Sequence, residues 1–270
     1  MNNKWLAAVL AVVAAGLFAF NPSPSWAAEK GPIKIGFLAP LSGGFAAQGK
    51  DMQAALEQYL EEIKYQVAGR KIELITEDDE ANPAVGLTKS RKLVEKDGVH
   101  IMTGGMMAST AYALAPYIDS KEIPMTYPIM SADDITQRKV PKWIVRTGWS
   151  SSQPHQPFGE YAYNTLKFRK VSIIAYDFAF GWEFVGGFHK TFEDAGGKVL
   201  QKISVPLTAQ DLSPYLSQIS KDADAVFAVF SGRLTLQFVK QYKEFGLKDK
   251  IPLIGGGTVT DEHALPSMGD

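Results

Sequence analysis

Ile33-Lys-Ile-Gly-Phe-Leu38, followed after a glycine-containing link by Lys50-Asp-Met-Gln-Ala-Ala-Leu-Glu-Gln-Tyr-Leu-Glu-Glu-Ile-Lys-Tyr-Gln-Val67, sets the pattern for the whole chain. The first segment is an apolar run of strand length. The second places Met52, Ala55, Leu56, Tyr59, Leu60 and Ile63 on one helical face, so it predicts an amphipathic helix over 50–67 that lies on a sheet. The same unit recurs along the chain. Strand patterns at 71–76, 100–104, 123–127 and 143–147 alternate with helical patterns at 83–96 and 109–120. Further on, strands at 171–176, 199–205, 225–230 and 252–254 alternate with helices at 156–167, 182–195, 212–220 and 234–245. Strands that are apolar on both faces and separated by helices require parallel sheets covered on both sides. The alternation is interrupted at 131–153 by Asp133, Asp134, Arg138, Lys139, Pro141 and Lys142. The expected fold is therefore α/β with two parallel sheets flanked by helices, one in an N-terminal lobe over 28–148 and one in a C-terminal lobe over 149–270. The chain contains no low-complexity tract and no short solenoid repeat.

The first residues read differently from the rest. Lys4 precedes an unbroken apolar run from Trp5 to Phe20, and Ser25 and Ala27 are small. A charged start, an apolar stretch of about 15 residues and small residues before a cut form a secretory signal, with cleavage expected after Ala27, so that 1–27 is a signal peptide. A membrane anchor is the alternative, but a spanning helix needs about 20 apolar residues and Pro22 and Pro24 interrupt this run. The expected destination is the bacterial periplasm. Cysteine is absent, so the chain can form no disulfide and carry no lipid-modified cysteine. Lys4 is the only charge in 1–27, and its removal takes the formal charge from −1 to −2. That balance provides no footprint for nucleic acid and no polybasic patch for a membrane surface. About 240 residues remain after the signal, ample for a buried core.

Open parallel sheets bind ligands beyond the carboxyl ends of their strands, which directs attention to the loops after Leu38, Gly104, Tyr127, Tyr176, Phe230 and Ile254. One of these loops carries a competing signal. Gly44-Phe-Ala-Ala-Gln-Gly49-Lys50-Asp51 satisfies all but the last position of a phosphate-cradling loop. Asp51 stands where a hydroxyl should hold magnesium, and its carboxylate would repel polyphosphate. The other reading is that these glycines allow a tight turn ahead of the helix. Enzyme constellations are weaker still: His100, His155, His189 and His263 lack metal-ligand spacing, and there is no nucleophile elbow and no thiol. Asp78-Asp79-Glu80 and Asp133-Asp134 are expected to be solvated loop or helix-cap residues. No cofactor and no metal are expected.

Several segments together resemble one family. Ile33-Lys-Ile-Gly-Phe-Leu-Ala-Pro-Leu-Ser-Gly-Gly44, Gly104-Gly105 with Ala108-Ser109-Thr110, Ile123-Pro124 through Pro128 to Ser131, Arg146-Thr147 with Ser150-Ser151-Ser152-Gln153, Asp177 with Phe180-Gly181, and Ala195-Gly196-Gly197 occur in the order and spacing of the branched-chain amino-acid-binding group. The chain from Ile33 onward thus resembles type I periplasmic solute-binding proteins of ABC importers, the Leu/Ile/Val-binding-like kind. The resemblance implies a two-lobed periplasmic-binding-protein type I fold that closes on a small-molecule ligand and delivers it to a membrane permease, with no chemical turnover and no membrane insertion of its own. It also implies a return to the first lobe after Asp270, so the chain reads as C-terminally truncated, and a first lobe without that return is expected to leave apolar surface exposed and to melt at low temperature.

The resemblance further implies ligand contacts. Met107, Ala108, Ser109, Thr110, the Ile129 carbonyl and the Ser131 hydroxyl match first-lobe groups that hold a carboxylate and an ammonium. Phe180 matches an aromatic wall position, Phe45 is a further aromatic candidate for the site, and Ser231 and Gly257 stand at second-lobe contact positions. Two positions depart from the pattern: Ser231 replaces a common aromatic, and Gly257 stands where amino-acid binders place a carboxylate for the ligand ammonium. Losing that charge-assisted bond removes about 1.5 to 3 kcal/mol. With Met106, Met107, Met130, Phe178, Phe180 and Trp149 nearby in sequence, the expectation is an aromatic or aliphatic carboxylate rather than an ordinary amino acid. A binding component of a sensor, a binder of branched-chain amino acids, amides or urea, and an exported hydrolase are the alternatives.

Overall fold

The computed structural model describes residues 31–261 and 265–268; the expected signal peptide lies outside them. Two sheets carry the fold. The first has strand order β2-β3-β1-β4-β5-β6, formed by β1 (Ile33–Ala39), β2 (Gln66–Val67), β3 (Arg70–Asp78), β4 (Ile101–Gly104), β5 (Met125–Tyr127) and β6 (Ile144–Arg146). All its pairings are parallel except β2 with β3. The second has the order β10-β9-β7-β8, built from β7 (Lys170–Tyr176), β8 (Lys198–Val205), β9 (Ala225–Val229) and β10 (Leu253–Gly255), all parallel. The change of sheet falls between β6 and β7, where the sequence pattern breaks.

The helices follow the expected alternation with shifted ends: α1 (Ala46–Glu62), α2 (Pro83–Arg91), α3 (Ala108–Lys121), α4 (Asp134–Gln137), α5 (His155–Asn164), α6 (Ala179–Asp194), α7 (Ser213–Leu216), α8 (Arg233–Glu244) and α9 (Leu265–Met268). No helix among the described residues is long and apolar enough to cross a membrane. Two expectations about helices need correction. The helix expected over 50–67 runs instead from Ala46 to Glu62, and Gln66–Val67 turns back as a short antiparallel strand on β3. The helix expected over 212–220 is a single turn.

The early start of α1 also settles the glycine-rich stretch. Gly49 lies inside the helix, and a β-carbon there would come within 1.9 Å of the Pro40 carbonyl oxygen. The glycine lets the helix backbone lie against the end of β1; it does not shape a loop around phosphate. Gly104 and Gly105, with φ of 104° and 71°, turn the chain sharply after β4, so that the Gly105 N–H donates to the Leu38 carbonyl at 2.5 Å.

Each sheet is packed on both faces. Phe184, Phe188, Phe192 and Phe227 fill one side of the second sheet, and Ile203, Val205, Leu216, Phe230 and Phe238 fill the other. In the first sheet, Leu38, Met102, Leu114, Ile118 and Met125 form the face under α3. One acidic residue enters this interior, against expectation. Asp79 has no exposed surface; its Oδ1 accepts from the Ala81 N–H at 2.9 Å, and its Oδ2 has no partner. Asn82 is the residue that caps α2, accepting from Ala84 and Val85.

Candidate functional site

In both sheets the strand order reverses, at β1 in the first and at β7 in the second. Loops leaving adjacent strands on either side of a reversal turn apart and open a crevice. The loops after β1 and β4 therefore face those after β7 and β9, and between them lies a cavity of about 280 Å3. Its walls are strongly aromatic. Phe45 stands 6.4 Å from Tyr176, Tyr176 5.4 Å from Phe178, and Phe178 is stacked on Phe180 at 5.8 Å, with Trp149, Met106 and Met107 completing the apolar lining. The Tyr176 hydroxyl donates to the Ser231 carbonyl at 2.6 Å, so this wall is tied to the loop after β9.

The polar groups are few. Gln48, Ser131, Ser231, Thr258 and Asp261 reach the cavity, and among its described lining residues there is no lysine or arginine. At one end α3 begins at Ala108, behind Met107, whose side chain makes no cap. The Ala111 N–H is the first to bond back, to the Met107 carbonyl at 3.0 Å, so the N–H groups of Ala108, Ser109 and Thr110 have no acceptor within the helix. Of these three residues Ala108 lines the cavity, and free donors at the positive end of a helix dipole attract a carboxylate. Ser131 lies nearby, its hydroxyl 2.9 Å from that of Ser151. Arg146 holds this segment by donating to the carbonyls of Ser131 and Ala132 at 3.3 and 2.7 Å.

Of the residues expected at the site, Phe45, Met107, Ala108, Ile129, Ser131, Phe180 and Ser231 line this cavity. Ser109, Thr110 and Gly257 do not. The Thr110 side chain turns into the first lobe, where its methyl lies 2.7 Å from the position a β-carbon would take on Gly86 and its hydroxyl is buried without a partner. Any part Thr110 plays at the cavity falls to its backbone N–H. Gly257 is exposed, and its neighbour Thr258 reaches the wall instead. Gln48, Pro128, Tyr176, Thr258 and Asp261 were not singled out from the sequence. Tyr176 ends a strand and Pro128 follows one, a signal that could have found them; Gln48 and Asp261 depend on how the two lobes meet. Asp261 brings an acidic residue to the cavity lining from a position other than that of Gly257.

The lobes touch on both sides of the cavity. On one side a β-carbon on Gly232 would lie 2.8 Å from the Gly44 carbonyl oxygen. On the other, Glu183 of α6 accepts from the Tyr112 hydroxyl of α3 and from the Asp133 N–H at 3.1 Å, while Asp133 accepts from the Ser152 N–H at 3.0 Å. Asp133 is therefore a buried junction residue, not the surface or capping group its sequence context suggests. Burial pushes the Glu183 carboxyl up. Glu183→Ala would strand the Tyr112 hydroxyl and the Asp133 N–H. It is expected to lower stability by about 2 kcal/mol and to enlarge the radius of gyration of the unliganded protein, measured by denaturant titration and small-angle scattering.

The model of the periplasmic binding protein family matches residues 32–270. The chain belongs to that family. Among periplasmic binding proteins, Leu/Ile/Val-binding protein homolog 6 of Brucella melitensis biotype 1 is 31% identical over 265 residues, 97% of this chain and 66% of the relative. An ABC transporter substrate-binding protein from Sphaerobacter thermophilus is 35% identical, with a TM-score of 0.78 over 88% of this chain and 66% of that one. The solute-binding protein of an ABC transporter from Rhodopseudomonas palustris BisB5, solved in complex with 3,4-dihydroxybenzoic acid, is 33% identical, with a TM-score of 0.82 over the same shares. The chain thus spans about 66% of the length of these relatives. Both the resemblance read from the motifs and the two-lobed α/β fold are borne out.

Proposed function

We propose that the protein is the periplasmic capture component of an ABC importer, that it closes reversibly on a small aromatic carboxylate without transforming it, and that it hands this ligand to a membrane permease. The observation that carries the reading is the pairing of an aromatic wall, Phe45, Tyr176, Phe178, Phe180 and Trp149, with the uncapped start of α3 in one cavity. Aromatic faces favour a flat ring, and unpaired N–H groups favour an anion. The 3,4-dihydroxybenzoic acid held by the R. palustris relative is a ligand of this chemistry. The lobes expected over 28–148 and 149–270 would then each contribute one wall, and the expected signal over 1–27 would bring the chain to the periplasm.

Calorimetry with benzoate, benzamide and leucine tests the reading. Benzoate is expected to bind at least about tenfold more tightly than benzamide, because a charge-assisted bond is worth about 1.5 to 3 kcal/mol. Phe180→Ala is expected to weaken benzoate about tenfold while keeping the preference for acid over amide, since the ring reads the ligand's body and the helix end reads its charge. Asp261 favours one second reading, a branched-chain amino acid whose ammonium that carboxylate would receive. Binding of leucine in preference to benzoate would select it and overturn the first.

A further inference from the structure

Asp79 follows directly on β3, at the end of the first sheet from which the cleft loops leave, and it has no exposed surface. Its backbone N–H donates to the Ala39 carbonyl at 3.1 Å, at the end of the strand that leads to Phe45. Its Oδ1 accepts from the Ala81 N–H at 2.9 Å. That bond closes a turn in which Glu80 and Ala81 hold φ of 53° and 54°, a region costly to residues other than glycine. Ala81 in turn packs against the cluster that contains Phe45 and Met107 of the aromatic cavity. Two further neighbours point to the same place. Thr110, in the first turn of α3, meets Asp79 across Gly86, where a β-carbon would lie 2.7 Å from the Thr110 methyl and 3.5 Å from the Asp79 β-carbon. Tyr127 ends β5 just before the cavity residues Pro128 and Ile129, and burial, with the Asp79 charge, pushes its hydroxyl up. The Asp79 carboxyl therefore sits behind the start of α3, the feature that favours an anion in the cavity.

Nothing around an ionised Asp79 answers its charge. Asp78 repels it, Glu80 is exposed, Tyr127 keeps its proton, and α2 and α3 meet it with the uncharged Gly86, Thr110 and Leu114. Its Oδ2 is buried without a partner, so a proton is what neutralises it. An ionised Asp79 would draw on the same helix dipole as a ligand carboxylate, and the two anions would repel through packed protein, where water screens little. The ligand's charge thus favours a neutral Asp79, and by reciprocity a neutral Asp79 favours the ligand.

We propose that Asp79 couples capture of the ligand's carboxylate to uptake of a proton, so that the protein holds its ligand most tightly when Asp79 is neutral. The inference rests on the aromatic-acid reading above. The proton passes from the buffer to Asp79 Oδ2, and the ligand is unchanged.

Calorimetry with benzoate and benzamide on the wild type and on Asp79→Asn tests this, in two buffers of different ionisation enthalpy. Asp79 titrates at about 6, so the wild type is expected to bind benzoate about fivefold less tightly at about pH 8 than at about pH 5.5. Near neutral pH it should take up part of a proton with each benzoate. Asp79→Asn should keep the low-pH affinity across the range and lose that uptake. Benzamide, which has no charge, should bind the wild type alike at both ends. A merely structural turn would shift acid and amide together at every pH. Glu183, His155 and Asp261 are present in both proteins, so the difference between the two isolates Asp79. If benzoate binds but both proteins follow pH alike, or the wild type takes up no proton, the coupling is overturned and the aromatic-acid reading stands. Should Asp79→Asn fail to fold, proton uptake by the wild type decides alone. If benzoate binds at no pH, both are overturned.

Discussion

Replacing Phe188 by alanine is expected to lower stability by about 3 to 5 kcal/mol, the usual cost of truncating a fully buried phenylalanine. The ring has no exposed surface. It stacks on Phe227 at 4.1 Å and 16° and on Phe192 at 5.3 Å and 17°, joining α6 to the central strand β9 of the second sheet. Neither neighbour can collapse into the space. Phe227 is held in the ladder between β7 and β10, and Phe192 packs edge-on against Tyr163. In a chain of this size the loss corresponds to a fall in melting temperature of about 10 °C, which thermal denaturation would measure. Phe188→Leu should recover most of it, and a variant that melts like the wild type would mean the second sheet is not covered as described.

The second large effect has the opposite sign and depends on pH. Burial, with Asp78 adding repulsion, raises the Asp79 carboxyl from an ordinary 3.8 to about 6. The folded state thus holds the proton more tightly than the unfolded chain. The stability this provides is complete below about pH 4, and it is lost as pH rises through about 6. The gap corresponds to on the order of 3 kcal/mol. Asp79→Asn cannot ionise and can still accept from the Ala81 N–H. It is expected to be more stable than the wild type at pH 7 by up to about 3 kcal/mol, and to converge with it near pH 4. Glu183 also titrates upward, so the comparison is the difference between the two proteins across the pH range, read by urea denaturation. A constant difference would place the Asp79 carboxylate in solvent.

Alternation of strand and helix was legible because each period is written locally: Ile33 to Leu38 is apolar on both faces, and the α6 and α8 segments repeat their apolar residues at helical spacing. Ends were less legible. Nothing in 62–67 marks the stop of α1, because Ile63 and Val67 continue its spacing; the chain leaves the helix to pair with β3, a contact made across the sheet. Cavity residues on the strand-end loops, such as Phe45 and Ile129, could be found from topology and resemblance. Thr110 could not be placed, since a hydroxyl in the first turn of a helix looks the same whether it faces a cleft or the helix behind it. The buried state of Asp79 and Asp133 was hidden for a related reason. Acidic pairs between elements are usually solvated, and only the packing of α2, and of α6 against the first lobe, encloses these two.

The absence of lysine and arginine from the described lining of the aromatic cavity has a kinetic meaning. An anion received there would meet dipoles, hydroxyls and the like charge of Asp261 rather than opposite charges. Added salt, which screens exposed charges over about 10 Å, should therefore not weaken its binding. Its encounter rate would gain nothing from long-range electrostatic steering, so differences in affinity between ligands would appear as differences in residence time. In the proposed role of a carrier, such a site would keep its ligand only as long as the two walls stay together.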